Sequence, residues 1–511
     1  MRRRRIFALA VLGVWFFVLG WHVRREYFKP ELALLEEGAR ALAPGSYFYA
    51  VRMGSATIGT ASSRLDTVPG GFAFEDNILL DIPALDTVRR VVVMTRVALS
   101  PALGLRDFRF RMDSEIGSYG VTGTAASDSL LSLEIRAGGE PRREQVAVHP
   151  GLTFDAVVNL RLSAAGALEP GREAAVRIFD PSTLSEREVH VRVTATDTFL
   201  VADTVRLDAS GRWVTQSLDT FPAWRVEQRY GSITLASWVD EDGILLRAES
   251  PLGFTIERTA FELARQEWQD ARGRRDLAAG YGALIEGTAI ASNVSLEDVA
   301  EATRFAVRLR NVELLGFDLD GGRQRLSGDT LIVTREPESV LASAGYALPY
   351  AGGGEAAAEL GETPFVQSRD PRIVTKSRQI LAGTTDPGVA ARRLAEWVYG
   401  ALRKEIVPSV PSAVQVLEAG RGDCNEHTVL YVALARAAGL PARTAAGLVH
   451  VRGRFYFHAW PEVWLAGSWV AVDPTLGQTP ADASHLRFLI GGLARQLELI
   501  RLIGQLQLEV A

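Results

Sequence analysis

The stretch Gly420–Arg443, "GRGDCNEHTVLYVALARAAGLPAR", contains Cys424, the only cysteine in a chain of 511 residues. Asp423, Cys424, Asn425 and Glu426 read as a capping box, with Asp423 as the N-cap and Glu426 three residues later. Cys424 is then the first helical residue, beside the unpaired amide hydrogens and the positive end of the helix dipole. The helix runs through Tyr431 and Leu434 to Ala438; Gly439 ends it and Pro441 prevents its resumption. Leu430, Leu434 and Ala437 make up the face that packs inward. Asp423 belongs to an "RGD" tripeptide, but the helix cap accounts for it better than adhesion does. A lone cysteine is most often a small buried hydrophobe. The dipole favours a thiolate by only about 0.3–1 kcal/mol, and the Asp423 charge opposes it, so reactivity requires a cationic neighbour such as an imidazolium.

Of seven histidines, His427, His450, His458 and His485 fall in the same C-terminal region. His458 sits in "RFYFHAWPEVWLAGSWVAVDPT", residues 454–475, which reads as a β-hairpin. Its strands are 454–464 and 468–473, with a turn at Ala466 and Gly467. If Leu465 pairs with Ser468, Thr475 lies opposite His458 and Asp473 is its diagonal neighbour on the same face. Diagonal partners are roughly 7–8 Å apart at the backbone, within reach of an imidazole–carboxylate hydrogen bond. A helix N-terminus facing this hairpin brings the thiol to the other ring nitrogen, the nucleophile–base–orienter arrangement of acyl transfer. His427 is a rival base, three residues beyond Cys424, with Glu426 or Asp423 to fix its tautomer. His450 reads as solvated and His485 as a surface residue. The Cys424 amide is a natural oxyanion donor, and Gln415 is a second candidate by type and proximity alone. Trp460, Trp464 and Trp469 read as core around the hairpin rather than as walls of a cleft.

Taken together, "GDCNEHTVLYVALARAAGLPAR", "FHAWPEVWL" and "WVAVDPT" resemble the transglutaminase-like superfamily of papain-type thiol enzymes over residues 365–480. The resemblance implies Cys424 as nucleophile, His458 as general base and acid, and Asp473 as the residue orienting the imidazole. It also implies a papain-like α+β core with the thiol helix packed on an antiparallel sheet. The reaction expected is attack on a peptide or glutamine carboxamide, loss of the amine, and a thioester. Water resolves it in a peptidase or amidase and a second amine in a cross-linking enzyme; hydrolysis is the simpler default outside the cytoplasm. The opposing reading is a catalytically silent papain-like domain kept for binding protein or cell envelope. No cofactor or metal is expected.

The rest of the chain frames this domain. Residues 45–265 alternate with period two, as in "DFRFRMD" and "EVHVRVT", which predicts a large antiparallel β-domain, a curved sheet or an open barrel, without helices of useful length. A smaller β segment spans 285–335, where Asp318 and Asp320 in "DLDGG" read as a turn because the later ligand positions of a calcium loop are missing. Residues 336–364, rich in Ala and Gly, read as a linker to the transglutaminase-like domain at 365–511. Within that domain Asp386-Pro387 opens a helix whose Leu394, Trp397, Val398 and Leu402 share one face. Ser412 caps a short helix carrying Val416 and Leu417 inward and ending at Gly420.

The net charge of −5, without basic runs in the body of the chain, argues against a nucleic-acid partner. At the N-terminus, four arginines precede the apolar run Ile6–Trp21, with Arg24 and Arg25 behind it. The positive-inside rule makes residues 1–25 a signal anchor in the cytoplasmic membrane, with the chain beyond about residue 25 facing the periplasm or exterior. No small-x-small cleavage site follows the run, so an uncleaved helix is expected in preference to a removed signal peptide. A peptide or protein substrate and the membrane are the partners expected.

Overall fold

A computed structural model describes residues 31–510 except 55, 85–86, 231–232, 251–252, 273–288, 292, 294–298, 343–344, 406–408, 452 and 503–504. The apolar run Ile6–Trp21 lies outside the described residues. Among the described residues no helix is long and apolar enough to cross a membrane.

Residues 45–259 form one 15-stranded sheet. It consists of two meanders joined where the first strand, Gly45–Met53, pairs antiparallel with the last, Phe254–Thr259. All pairings are antiparallel except the short contact of Thr153–Phe154 with Glu173–Asp180. Strict alternation explains the one-sided core: Phe72, Phe74, Phe108, Val121, Leu131 and Leu133 are buried on a common face. Two helices depart from the expectation of an all-strand region. Val158–Ala164 buries Val158, Leu160, Leu162 and Ala164, a period-two pattern that reads as a strand. It is helical because it is enclosed on several sides, against the helix Glu31–Ala39 and the sheet, so no single helical face has to be apolar. Phe261–Arg272 follows the last strand and packs across Gly45–Met53 and Ala56–Val68.

The C-terminal unit is α+β. Its sheet has the order Ile290–Ala291, Arg454–Leu465, Ala442–Val451 and Leu486–Ile490, with Ser468–Ala471 also paired to Arg454–Leu465. Helices Pro371–Leu381, Pro387–Ala401, Ala413–Ala419 and Cys424–Ala437 share one core, filled by Ile373, Leu394, Val398, Val416, Leu430 and Leu434 among others. Asp370, Asp386 and Ser412 accept hydrogen bonds from first-turn amides as N-caps. Gly420 ends its helix in the left-handed conformation.

A four-stranded sheet, ordered Gln324–Ser327, Thr330–Thr334, Arg304–Arg310 and Gln507–Val510, closes the other side. The chain's last strand therefore pairs with the segment at 304–310, so the small β segment and the domain after 365 share a core containing Phe305, Val333, Phe455 and Phe488. Residues 336–364 are not a bare tether. They include a single turn at Glu338–Leu341 and a helix at Gly354–Ala358, and Leu341 and Leu348 are buried among the helices. Asp318 and Asp320 are taken up by their own surroundings. Asp318 accepts from the Ile490 amide (2.8 Å) and Arg495 (2.9 Å), and Asp320 from the Leu326 amide (3.1 Å).

Candidate active site

The first turn of the helix Cys424–Ala437 is closed by a capping box. Asp423 Oδ1 accepts from the Asn425 amide, and Glu426 Oε2 accepts from the Asp423 amide, each at 2.9 Å. Glu426 is buried, and its other oxygen accepts from Ser409 Oγ at 2.7 Å. Burial and the neighbouring Asp423 push its carboxyl well above the usual range. Helix and sheet are registered by Thr428, whose hydroxyl donates to the Ala459 carbonyl at 3.1 Å. Ala459 follows His458, so the first two turns of the thiol helix lie across the histidine strand.

Cys424 is partly exposed and rests its remaining surface on the sheet core. Burial of the sulfur, then the Asp423 carboxylate, push the thiol well up; the backbone N–H of Ala459 favours the thiolate, and Glu426 and Asp473 oppose it again. A thiol with these neighbours holds its proton until a base removes it.

The predicted hairpin register is present, with Leu465 paired to Ser468 and Glu462 to Ala471. Ala466 and Gly467 both take positive φ, as a tight two-residue hairpin turn requires. The second strand stops at Ala471 rather than running through 473. Pro474 has no amide hydrogen to continue the ladder, and Asp473 turns the chain instead. Its Oδ1 accepts from the amides of Thr475 (2.7 Å) and Leu476 (2.9 Å), and its backbone pairs with Gln478. The early stop leaves Asp473 Oδ2 facing His458, which donates from Nε2 at 2.8 Å. Both side chains are buried. Burial alone would raise the Asp473 carboxyl, but His458 and then His485 hold it far below the ordinary carboxylate range. The aspartate therefore stays an anion, and Nδ1 is the His458 ring nitrogen that it leaves free of its own contact. Among the described residues no hydrogen bond links the Cys424 sulfur to the His458 ring; the structure joins His458 to Asp473 and sets the thiol against the adjoining residue, Ala459.

The rival candidates resolve differently. His427 is fully buried and donates from Nδ1 to the Asp423 carbonyl at 2.7 Å, so its proton is fixed by the capping turn rather than by a carboxylate. Burial lowers its pKa. His450, expected in solvent, is buried with its ring edge-on to Phe455 at 5.2 Å, because it lies on the central strand Ala442–Val451. His485, expected at the surface, is fully buried, because the strand that follows it, Leu486–Ile490, joins the sheet beside Ala442–Val451. Its Nε2 lies 2.9 Å from the same Asp473 oxygen that accepts from His458.

Gln415 does not face the thiol. Its amide nitrogen donates to the Ser118 carbonyl of the large sheet at 2.7 Å, and its oxygen accepts from Ser412. Trp460 is fully buried, stacked on His458 and edge-on to His485; Trp464 and Trp469 pack on each other. The sequence cue for His485 was the run "DASHLRFLI", an aspartate turn leading into a strand with buried Leu486 and Phe488.

Beside the first turns of the thiol helix lies a cavity of about 360 Å³, lined by Asn425, Thr428, Phe365, Glu362, Arg443 and Gln496 among others. The cationic and anionic side chains around it are mostly paired off, as Arg443 is with Glu462.

Residues 374–474 match the model of the transglutaminase-like superfamily. No curated protein sequence matches the chain. Among solved structures, a candidate cysteine protease from Cytophaga hutchinsonii aligns at 15% identity and TM-score 0.28, covering 40% of this chain and 83% of that one. A β-barrel-like protein of a domain family of unknown function from Brucella abortus aligns at 12% identity and TM-score 0.30, covering 43% and 95%. A candidate protease from Parabacteroides distasonis aligns at 10% identity and TM-score 0.19, covering 70% and 64%. Scores this low set neither fold nor activity for the present chain. The family match spans the thiol helix, the histidine strand and Asp473, so the segment 374–474 of the C-terminal unit is transglutaminase-like.

Proposed function

We propose that the chain is a thiol enzyme in which Cys424 attacks a peptide or glutamine carboxamide and carries the acyl group as a thioester. The observation that carries this reading is the buried His458–Asp473 pair, bonded through Nε2, on the strand that the thiol helix crosses at Ala459. His458 Nδ1 takes the thiol proton as the sulfur attacks and returns it to the departing amine. Asp473 fixes the tautomer and stabilises the imidazolium as it forms. Because burial and Asp423 hold the proton on the sulfur at rest, proton transfer accompanies attack instead of preceding it. The sulfur and ring close the remaining distance in the substrate complex, as catalytic hydrogen bonds often do. The Cys424 amide supports an oxyanion hole: Asp423 Oδ1 takes the Asn425 amide and leaves the Cys424 donor at the open end of the helix.

Water is the acceptor in this reading, giving amide hydrolysis. The apolar run Ile6–Trp21 between arginine clusters supports a membrane-anchored protein with the enzyme domain outside the cytoplasm. Peptides and glutamine-containing substrates, offered to the full chain with and without a primary amine, test the reaction by ammonia release and product mass together. Free acid products that vanish in Cys424→Ala support hydrolysis, and amine-adducted products assign transfer instead. No product with either acceptor, from a panel spanning peptide and glutamine amides, leaves the binding-module reading in possession.

A further inference from the structure

The pair described above belongs to a longer buried row. Asp482 Oδ1 accepts from the Ser484 amide (2.8 Å) and the Ser484 hydroxyl (2.7 Å), and its Oδ2 accepts from the Gln478 side-chain amide (2.8 Å). Donors at both oxygens stabilise the ionised carboxylate. His485 Nδ1 stands 3.1 Å from Asp482 Oδ1, so it carries a proton. The other ring nitrogen, Nε2, stands 2.9 Å from Asp473 Oδ2, which already accepts from His458 and offers only another lone pair. It carries a proton too. A ring protonated at both nitrogens is an imidazolium.

We infer that His485 is a positioning residue of the thiol site, a buried imidazolium fixed between Asp473 and Asp482 that clamps the Asp473 carboxylate onto His458 and offsets part of its charge. The inference rests on the reading of Cys424 and His458 as the reacting pair. Burial would drive the ring neutral, but the two carboxylates outweigh it and raise its pKa. Trp460 covers the ring edge-on at 5.1 Å, and the His458 ring lies 5.9 Å away. Beyond these, Cys424 and His427 feel the Asp473 charge, and His450 and Arg323 feel that of Asp482. Arg323 donates to the backbone carbonyls of Ala481 and Asp482, which holds the turn bearing that carboxylate.

The consequence for the reacting pair has a definite sign. With His485 charged, the row Asp473–His485–Asp482 has one net negative charge. Removing the imidazolium leaves two, and the added negative charge disfavours the Cys424 thiolate, which already feels Asp473. The pH profile of the thiol then moves to the alkaline side.

Two measurements on the full chain test this. In nitrogen-15 spectra of histidine-labelled protein, assigned by difference with His485→Gln, both His485 ring nitrogens should remain protonated between about pH 5 and 9. A single protonated nitrogen in that window overturns the inference, whatever the variant does. In the second, the pH dependence of Cys424 alkylation by iodoacetamide is compared between wild type and His485→Gln. An alkaline shift of about one pH unit is expected. A rate lowered equally at every pH, with the midpoint unmoved, assigns His485 a packing role and overturns the inference. If wild-type Cys424 alkylates no faster than an unfolded thiol, it is the thiol-enzyme reading that falls, and the spectra still decide the charge of His485.

Discussion

At the first turn of the thiol helix, Asp423 and Glu426 satisfy amide hydrogens and at the same time raise the thiol they flank. In the proposed mechanism the opposing influence comes from across the sheet, from His458, which Asp473 holds by its Nε2. Asp473→Asn keeps an acceptor for the backbone amides at Oδ1 but loses the anion. It is expected to lower the turnover that depends on Cys424 by about 10²–10⁴-fold, and to destabilise the fold by about 3 kcal/mol by leaving the His485 charge short of a partner; amide-hydrolysis rates and chemical denaturation measure the two. The pH sign follows from the depressed Asp473 pKa. Its stabilisation is fully present above the ordinary aspartate value of about 3.9 and is lost only as pH falls through the much lower folded value. An acidic limb of activity near neutrality therefore does not report Asp473. In the large sheet, burial raises the Asp76 carboxyl to about 6, with the Ser63 hydroxyl opposing and Asp155 adding to the effect. A raised carboxyl costs stability as pH climbs from about 4 through 6, so Asp76→Asn should stabilise the neutral-pH protein by about 1–2 kcal/mol, read as a higher Tm that is absent at pH 4.

The elements that place these residues depend on close backbone approach. Gly447 lies opposite His458 on one side and Arg487 on the other, at a bulge in the central strand. A Cβ there would sit 2.0 Å from the Leu486 carbonyl oxygen. Gly447→Ala must push the strand Leu486–Ile490 away, and His485 with it. A loss of about 2–4 kcal/mol in denaturation, with a fall in Cys424 reactivity, is expected. This is also where legibility in the sequence ends. The capping box, the Gly439-Pro441 stop and the Leu465–Ser468 register are local rules, and "DCNE", "AGLP" and "WLAGSW" express them within a few residues. His485 and His450 were misread because their burial depends on which strand lies beside which, and no period within "DASHLRFLI" or "LVHVRG" records that. The place of Gln415, a candidate by type and proximity alone, is set in the same way: its partner, the Ser118 carbonyl, is 297 residues away in sequence. The helix Val158–Ala164 shows the converse, a strand-like pattern made helical by enclosure.

Across the whole molecule, the large sheet and the transglutaminase-like domain are joined near the thiol helix. The turn between strands Leu105–Asp113 and Ser118–Ser127 reaches Gln415, and Glu115 on that turn pairs with Arg89 and Arg421. Arg89 also bonds Glu405 at 2.6 Å. Ser412 and Gln367 donate to the Ala137 carbonyl, and the rings of Tyr119 and Phe365 meet at 5.4 Å. Gly138 takes positive φ with no room for a side chain, since a Cβ would stand 2.3 Å from Gln415 Cγ. The C-terminal unit is itself assembled from distant segments. A fragment beginning at residue 365 lacks the partners of Gln507–Val510 and the buried Phe305, Val307, Leu309, Leu331 and Val333. At about 1.5–3 kcal/mol per side chain, the loss is roughly 10 kcal/mol, comparable to the stability of a whole domain. Such a fragment should be unfolded by circular dichroism, while one beginning before Ile290 retains the native spectrum.

The reactivity of one sulfur decides whether this protein is a thiol enzyme. The rate at which iodoacetamide alkylates Cys424 at neutral pH can be compared in three states: native, unfolded in denaturant, and native His458→Ala. With His458 as the base that takes the thiol proton during attack, native Cys424 is expected to react faster than the unfolded thiol despite its raised pKa, and the advantage to disappear in His458→Ala. A native rate at or below the unfolded one, unchanged by His458→Ala, would contradict it.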